Sequence, residues 1–165
     1  MIEGKVWKYG DDVNTDVIFP GKYTYKPMQP TEMAQHALED LDATFTKEVK
    51  KGDILVAGRN FGCGSSREQA ATCVKAAGVG AVIAVSFSRL FFRNAINEGL
   101  PVVELAGGTD MIEKNDTVQI DFEQGLVLHK GKSYPFPALP KEVLAILNDG
   151  GLIPHVKKLL AKTGG

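Results

Sequence analysis

Short apolar runs separated by glycine and proline dominate the middle of the chain. Residues 53–58, 81–85 and 101–105 form three such runs, and their lack of alternation predicts strands that are buried on both faces. Helical patterns follow the first two runs, over residues 66–77 and 88–98, and Gly99 ends the second helix. This strand–helix–strand–helix–strand order predicts an α/β fold with a partly parallel sheet.

The flanking segments have weaker patterns. Alternation predicts an opening strand over residues 4–9 and a hairpin-like pair over residues 117–121 and 126–129, followed by a proline-rich extended segment, residues 134–140. Turn and cap formers fill residues 11–21, so we expect an ordered loop there with a short strand over residues 17–19. Further helices are expected over residues 31–38, 43–50, 141–147 and 152–162. The whole chain, residues 1–165, has the length of a single domain.

Composition narrows the classes of function. Nineteen basic and twenty acidic side chains leave a net charge of −1, which gives no electrostatic footprint for nucleic acid or an anionic membrane. No apolar run reaches the roughly 18–20 residues that span a bilayer, and the first residues lack the pattern of a signal peptide. Two cysteines, Cys63 and Cys73, are too few for a disulfide framework or a four-thiolate metal site. We therefore expect a cytoplasmic protein without a metal site of its own.

The segment after the first apolar run is the strongest candidate for chemistry. Residues 58–68 read GRNFGCGSSRE, a glycine-rich turn that leads into a helix with two hydroxyls and an arginine. Free N–H groups at a helix N-terminus favour an anion, and Arg67 adds a fork that matches a carboxylate or phosphate. The structural alternative is a helix capped by Ser65 or Ser66, with Arg67 in solvent and Cys63 a packed thiol. Spacing alone leaves both interpretations open.

A second pair of cations lies on the next predicted helix. Arg89 and Arg93 are four residues apart and share a helical face. They could bind an anion, but a solvated stripe opposite buried Leu90, Phe91 and Phe92 is the favoured interpretation.

Residues 60–70, NFGCGSSREQA, closely resemble the signature of the small subunits of 3-isopropylmalate dehydratase. Related forms occur in homoaconitase small subunits and in the C-terminal swivelling domain of aconitase. The resemblance extends to GDDVNTD at residues 10–16 and to SFSRLFFRNA at residues 86–95, in the same order and spacing. It implies a swivelling β/β/α domain that docks on a separate large subunit. In this family the large subunit carries a 4Fe–4S cluster, so no cofactor is expected on this chain.

The family's reaction implies a role for each residue of the glycine-rich turn. The reaction is a stereospecific dehydration and rehydration of a malate-type hydroxy acid, and the family assigns proton removal to the serine that matches Ser65. The same resemblance implies further binding residues: Ser66 and Arg67 for a carboxylate, Gly62 and Gly64 for close approach to the backbone, and Asp16 for orienting these groups.

The loop that aligns with the family's specificity loop departs from the known patterns. Short-type relatives often have Tyr-Leu-Val-Tyr there for isopropylmalate or Tyr-Leu-Arg-Thr for homoaconitate, whereas this chain has Tyr23, Thr24, Tyr25 and Lys26. Tyr23 and Tyr25 could form a wall for an apolar substituent, and Lys26 could meet a carboxylate or point to solvent. We expect isopropylmalate as substrate, in leucine biosynthesis. The alternatives are a 2,3-dimethylmalate dehydratase, a homoaconitase, or a stand-alone dicarboxylate-binding module.

Overall fold

Seven strands form one mixed sheet in the computed structural model, which describes residues 1–65 and 67–163. The strands are β1 (Ile2–Lys8), β2 (Ile54–Ala57), β3 (Ala81–Ala84), β4 (Val102–Glu104), β5 (Thr117–Asp121), β6 (Leu126–His129) and β7 (Lys132–Pro135). Their order across the sheet is β4-β3-β2-β1-β5-β6-β7. Strands β1 to β4 pair in parallel, and β5, β6 and β7 continue from β1 in antiparallel pairing. The predicted partly parallel sheet is confirmed.

Alternate side chains of the parallel strands enter two different cores. In β2, Leu55 and Ala57 join a core with the helices, whereas Ile54 and Val56 join a second core with Val118 and Ile120 of β5. All four residues of β2 and of β3 are buried, as a strand covered on both faces requires. The unalternated apolar runs of the sequence therefore follow from coverage of the sheet on both faces.

The helices are α1 (Thr15–Ile18), α2 (Pro30–Ala34), α3 (Phe45–Glu48), α4 (Glu68–Ala76), α5 (Arg89–Glu98), α6 (Lys141–Asn148) and α7 (Leu152–Thr163). Two of them connect parallel strands: α4 lies between β2 and β3, and α5 between β3 and β4. Ser88 caps α5, and Gly99 ends it in the left-handed conformation with φ of 78°. The central residues of the four longer helices, α4 to α7, are predicted as helical and are helical in the structure.

Several predicted elements differ from the structure. Residues 17–19 are not a strand: Asn14 accepts a hydrogen bond from the Val17 N–H, which caps the four-residue helix α1 instead. The helices predicted over residues 31–38 and 43–50 are shorter, and β7 is a strand that the sequence does not predict; only its last two residues overlap the predicted extended segment, residues 134–140. Leu90, expected to be buried, is 46% exposed. Helix α4 begins at Glu68 rather than at residue 66, and Ser66 lies outside the described residues.

Candidate functional site

The carboxyl ends of three parallel strands bring together the segments that carry the motifs. After β1 and β2, the Gly58 N–H donates to the Gly10 carbonyl, and isolated bridges join Asn14 to Cys63 and Phe61 to Phe87. The chain after each strand therefore lies beside the others at one edge of the sheet. Ligands of open α/β sheets bind at this edge.

Arg67 is the best-connected side chain of this edge. Its Nη2 donates to the carbonyls of Thr15 at 2.8 Å and Phe19 at 2.7 Å, and its Nη1 donates to the Thr24 hydroxyl at 2.5 Å. Asp16 Oδ1 lies 2.8 Å from Nη2. The Arg67 side chain is 11% exposed and the Asp16 side chain 66%, so the cation is enclosed while its counter-ion faces solvent.

The hydrogen bonds to the two carbonyls and to Thr24 involve three of the five N–H groups of the guanidinium. The Nε atom is buried and has no hydrogen-bond partner in the part of the chain described. The sequence alternative that left Arg67 in solvent is wrong, because the arginine ties the segment of α1 to the start of α4.

Ser65 lies between the glycine-rich turn and Arg67. The residue is exposed, and its carbonyl accepts hydrogen bonds from the Thr15 hydroxyl and the Arg67 N–H, both at 2.9 Å. These two bonds fix the Ser65 backbone while its side chain remains at the surface. Arg67 is the N-cap residue of α4, and its side chain makes no capping hydrogen bond. The role predicted for Ser66 falls on a residue that the structure does not describe.

The two glycines of the turn have different surroundings. Gly62 is buried at a φ of +81°, and a Cβ there would lie 2.3 Å from the Cβ of Phe91. Gly64 is exposed at a φ of +93°, and a Cβ there would meet Asn14 and Thr15 at 3.6 Å. Gly62 therefore has a packing reason to be glycine, and Gly64 leaves open backbone beside Ser65. Their predicted approach to substrate stays a prediction.

The loop after α1 has one anchored aromatic ring and one exposed ring. Tyr23 packs against His36, with ring centres 4.1 Å apart, and against Phe19 at 6.0 Å. The Nζ atoms of Lys22 and Lys26 lie 5.2 and 5.5 Å from the centre of the Tyr23 ring. Tyr25 is 96% exposed. Thr24 joins this loop to Arg67, so the predicted loop residues and the predicted carboxylate site are physically connected.

The cysteines have no arrangement for a metal. Cys73 is fully buried within α4, where its thiol contacts the carbonyls of Ile18 and Ala70, and burial raises the pKa of this thiol. Residues 1–65 and 67–163 contain no group of three potential metal ligands. None of the helices in those ranges is long and apolar enough to cross a membrane.

Sequence reasoning missed the contacts that Thr15 and Phe19 make with Arg67. Both act through carbonyl oxygens, which leave no trace in the side-chain pattern. The helix that presents them did have a signal: Asn14 stands at the position of an N-cap, with acidic Asp16 in the first turn.

This chain belongs to the aconitase C-terminal domain family. The family's model matches residues 11–107, which include both the Asp16 segment and the glycine-rich turn.

Within that class, the chain is similar to small subunits of 3-isopropylmalate dehydratase. The small subunit 1 from Thermotoga maritima is 50% identical over 160 residues, which are 96% of each chain. The small subunit 1 from Archaeoglobus fulgidus is 51% identical over 158 residues, 94% of this chain and 97% of its own. A crystal structure of 3-isopropylmalate dehydratase from Methanocaldococcus jannaschii matches with a TM-score of 0.90 and 43% identity, over 99% of both chains. The expected family and fold are confirmed.

Proposed function

We propose that this chain is the small subunit of a 3-isopropylmalate dehydratase and that it acts together with a large subunit. The reaction is the conversion of 2-isopropylmalate to 3-isopropylmalate in leucine biosynthesis, in the cytoplasm, with residues 1–165 acting as one domain. The observation that carries the proposal is the meeting of Arg67, Asp16 and the Ser65 turn at one edge of the sheet. The full-length similarity to small subunits supports it.

Ser65 is the proposed base. It removes a proton from one carbon of the acid, the hydroxyl leaves the neighbouring carbon, and both return in exchanged positions. A serine hydroxyl is a weak base unless its ionised form is stabilised. Two features on this chain favour the ionised form: the N-terminus of α4, which has no side-chain cap among the described residues, and the positive charge of Arg67.

Arg67 is the proposed carboxylate partner. Its contacts with Thr15, Phe19 and Thr24 fix the plane of the guanidinium, and the second Nη1 N–H is the group proposed to meet the carboxylate. The proposed role of Asp16 is to orient Arg67 through the 2.8 Å contact. Ser66, Gly62 and Gly64 complete the proposed binding turn.

The iron–sulfur cluster belongs to the partner in this proposal. The described residues of this chain do not fit such a cluster, because Cys73 is buried and Cys63 would be its only thiol companion. When bound to the large subunit, the cluster would supply a Lewis acid for the leaving hydroxyl and a carboxylate. The contribution of this chain is the base and the carboxylate site.

The loop of Tyr23, Thr24, Tyr25 and Lys26 is proposed to favour an apolar substituent. Citrate and homoaconitate carry a third carboxylate, and burying it without a partner would cost several kcal/mol. Residues 21–30 contain no arginine, and Lys26 lies over the Tyr23 ring. An isopropyl or methyl group needs only an apolar wall, so discrimination between those two substrates is expected to be weaker, within about 1–3 kcal/mol.

The test is reconstitution of the chain with a large subunit. Rates are compared for isopropylmalate, 2,3-dimethylmalate, homoaconitate and citrate, with the isolated chain and the isolated large subunit as controls. We expect turnover only by the pair, with the highest kcat/KM for isopropylmalate and dimethylmalate second. Turnover by the chain alone would overturn the role of a subunit. A higher kcat/KM for homoaconitate would overturn the substrate, and its loss in Lys26→Ala would identify the responsible residue.

Calorimetry separates the proposal from a stand-alone binding module. Malate-type acids are titrated into the isolated, colourless chain and into the reconstituted pair. Tight binding by the isolated chain, unchanged by the partner, would favour the module.

A further inference from the structure

We infer that Thr24 is a positioning residue that orients Arg67, so that it acts on all malate-type substrates alike and does not select among them. The inference rests on the proposed function of Arg67 as the carboxylate partner. Within the loop proposed to favour an apolar substituent, it gives Thr24 the role of orienting Arg67 and leaves contact with the substituent to the neighbouring residues.

Two residues at the start of helix α4 donate hydrogen bonds to Thr24. The Arg67 Nη1 donates to the Thr24 hydroxyl at 2.5 Å, and the Gln69 side-chain amide donates to the Thr24 carbonyl at 3.3 Å. The next residue along the chain, Tyr25, is 96% exposed and has no comparable contact among the described residues. Thr24 is therefore the point where the loop is attached to the start of α4.

The hydrogen bond to Thr24 adds a contact at the second terminal nitrogen of the Arg67 guanidinium. The Thr15 and Phe19 carbonyls both accept from Nη2, so they hold one terminal nitrogen of the guanidinium. Thr24 holds the other terminal nitrogen and completes the definition of the plane. Asp16 is a weaker constraint, because it also contacts Nη2 and is 66% exposed to solvent.

The loop can supply this constraint because its backbone is anchored beside Thr24. The Thr24 N–H donates to the Gly21 carbonyl at 3.1 Å, and the neighbouring Tyr23 ring packs on His36 at 4.1 Å. A hydroxyl on an anchored backbone has a defined position, so its hydrogen bond constrains Arg67 instead of following it.

The consequence concerns binding more than chemistry. A carboxylate that Arg67 holds in both the ground state and the transition state contributes to KM, and misorientation of the guanidinium raises KM with little change in kcat. Every malate-type acid presents such a carboxylate. A residue that touched the variable substituent would instead change the ratio of kcat/KM between substrates.

The experiment compares Thr24→Val, Thr24→Ser and the matched control Thr44→Val in the reconstituted pair. Thr44 lies on an exposed segment before α3, and its hydroxyl donates to Asp42 at 2.6 Å, so Thr44→Val removes a threonine hydroxyl that binds a charged group away from Arg67. We expect Thr24→Val to raise KM about 10-fold for isopropylmalate and dimethylmalate alike, as loss of one hydrogen bond to a charged donor predicts. Thr24→Ser keeps the hydroxyl and is expected to stay within about twofold of wild type, as is Thr44→Val.

Three kinetic results would overturn the inference. They are an unchanged KM in Thr24→Val, an equal loss in Thr24→Ser, and a shift of the substrate ratio by more than about threefold. If the wild-type pair turned over none of the four acids, the proposed function would fail separately. The NMR signals of the Arg67 Nη protons in the isolated chain then decide the positioning role: slow exchange is expected in wild type and Thr24→Ser, and fast exchange in Thr24→Val. Identical signals in all three chains would overturn it.

Discussion

The unit β2–turn–α4 and the unit β3–turn–α5 have the same architecture, but the N-termini of their helices are capped differently. Each has a buried four-residue strand, a turn at the same edge of the sheet and a helix of nine or ten residues. Helix α5 is closed by Ser88, whose hydroxyl accepts from the Phe91 N–H at 3.2 Å and donates to the Gly62 carbonyl at 2.8 Å. Helix α4 has no side-chain cap among the described residues. Among the described residues a side chain caps α5 but not α4, and the proposed function places the substrate at the N-terminus of α4.

The arginines of the two units differ in burial and in hydrogen bonding. Arg67 is 11% exposed and bonded to two carbonyls, whereas Arg89 and Arg93 are exposed and form no ion pair within the described residues. A buried cation with fixed orientation can select a carboxylate by geometry, and a solvated one contributes little. The proposed function places the chemistry in the α4 unit and a supporting role in the α5 unit, and the following substitutions test this division.

The largest effect is expected for Ser65→Ala. Loss of a general base should lower kcat of the reconstituted pair by about 10³-fold. Ser65 is exposed, so the melting temperature of the chain and its assembly with the partner should not change. The measurement is steady-state kinetics beside calorimetric melting. Turnover near the wild-type rate would show that Ser65 is not the base.

Gly62→Ala tests the packing of the turn before α4 against Phe91 of α5. The new Cβ would lie 2.3 Å from the Cβ of Phe91 in α5, at a positive φ. Strain and overlap together should lower the free energy of unfolding by about 3 kcal/mol. Gly64→Ala is the control, because its nearest neighbours are 3.6 Å away and only the strain of about 1–2 kcal/mol applies. Denaturant unfolding measures both, and equal losses would contradict the packing role of Gly62.

Arg67→Lys and Arg93→Lys compare the two cations directly. Lysine keeps the charge of Arg67 but cannot reach Thr24, Thr15 and Phe19 together, so KM should rise about 10- to 100-fold. Arg93→Lys changes an exposed side chain and should leave KM within about twofold of wild type. Equal KM values for the two variants would show that the burial of Arg67 has no functional consequence.

The sequence predicted the α5 unit more completely than the α4 unit. Ser88 and Gly99 are local signals at the two ends of α5, and the predicted helix, residues 88–98 with its end at Gly99, agrees with both. The start of α4 is decided by contacts that cross about 40–50 residues of chain, from Arg67 to Thr24, Thr15 and Phe19. Two of these acceptors are the carbonyls of Thr15, the first residue of α1, and of Phe19, its C-cap, whereas the sequence predicts a strand over residues 17–19. Local patterns therefore located the candidate site but could not reveal what holds its arginine.

The smallest effect is expected for Ser88→Ala, which removes the cap that distinguishes α5 from α4. Loss of an N-cap hydroxyl should lower the free energy of unfolding by about 1 kcal/mol. For a chain of this length, that corresponds to a fall in melting temperature of about 2–4 °C. Ser88→Thr keeps the hydroxyl and serves as the control. Because the Ser88 hydroxyl also donates to the Gly62 carbonyl, kcat should fall, but by no more than about threefold. A loss of kcat as large as that of Ser65→Ala, without a change in melting temperature, would place catalytic function in the α5 unit and reverse the assignment of the two units.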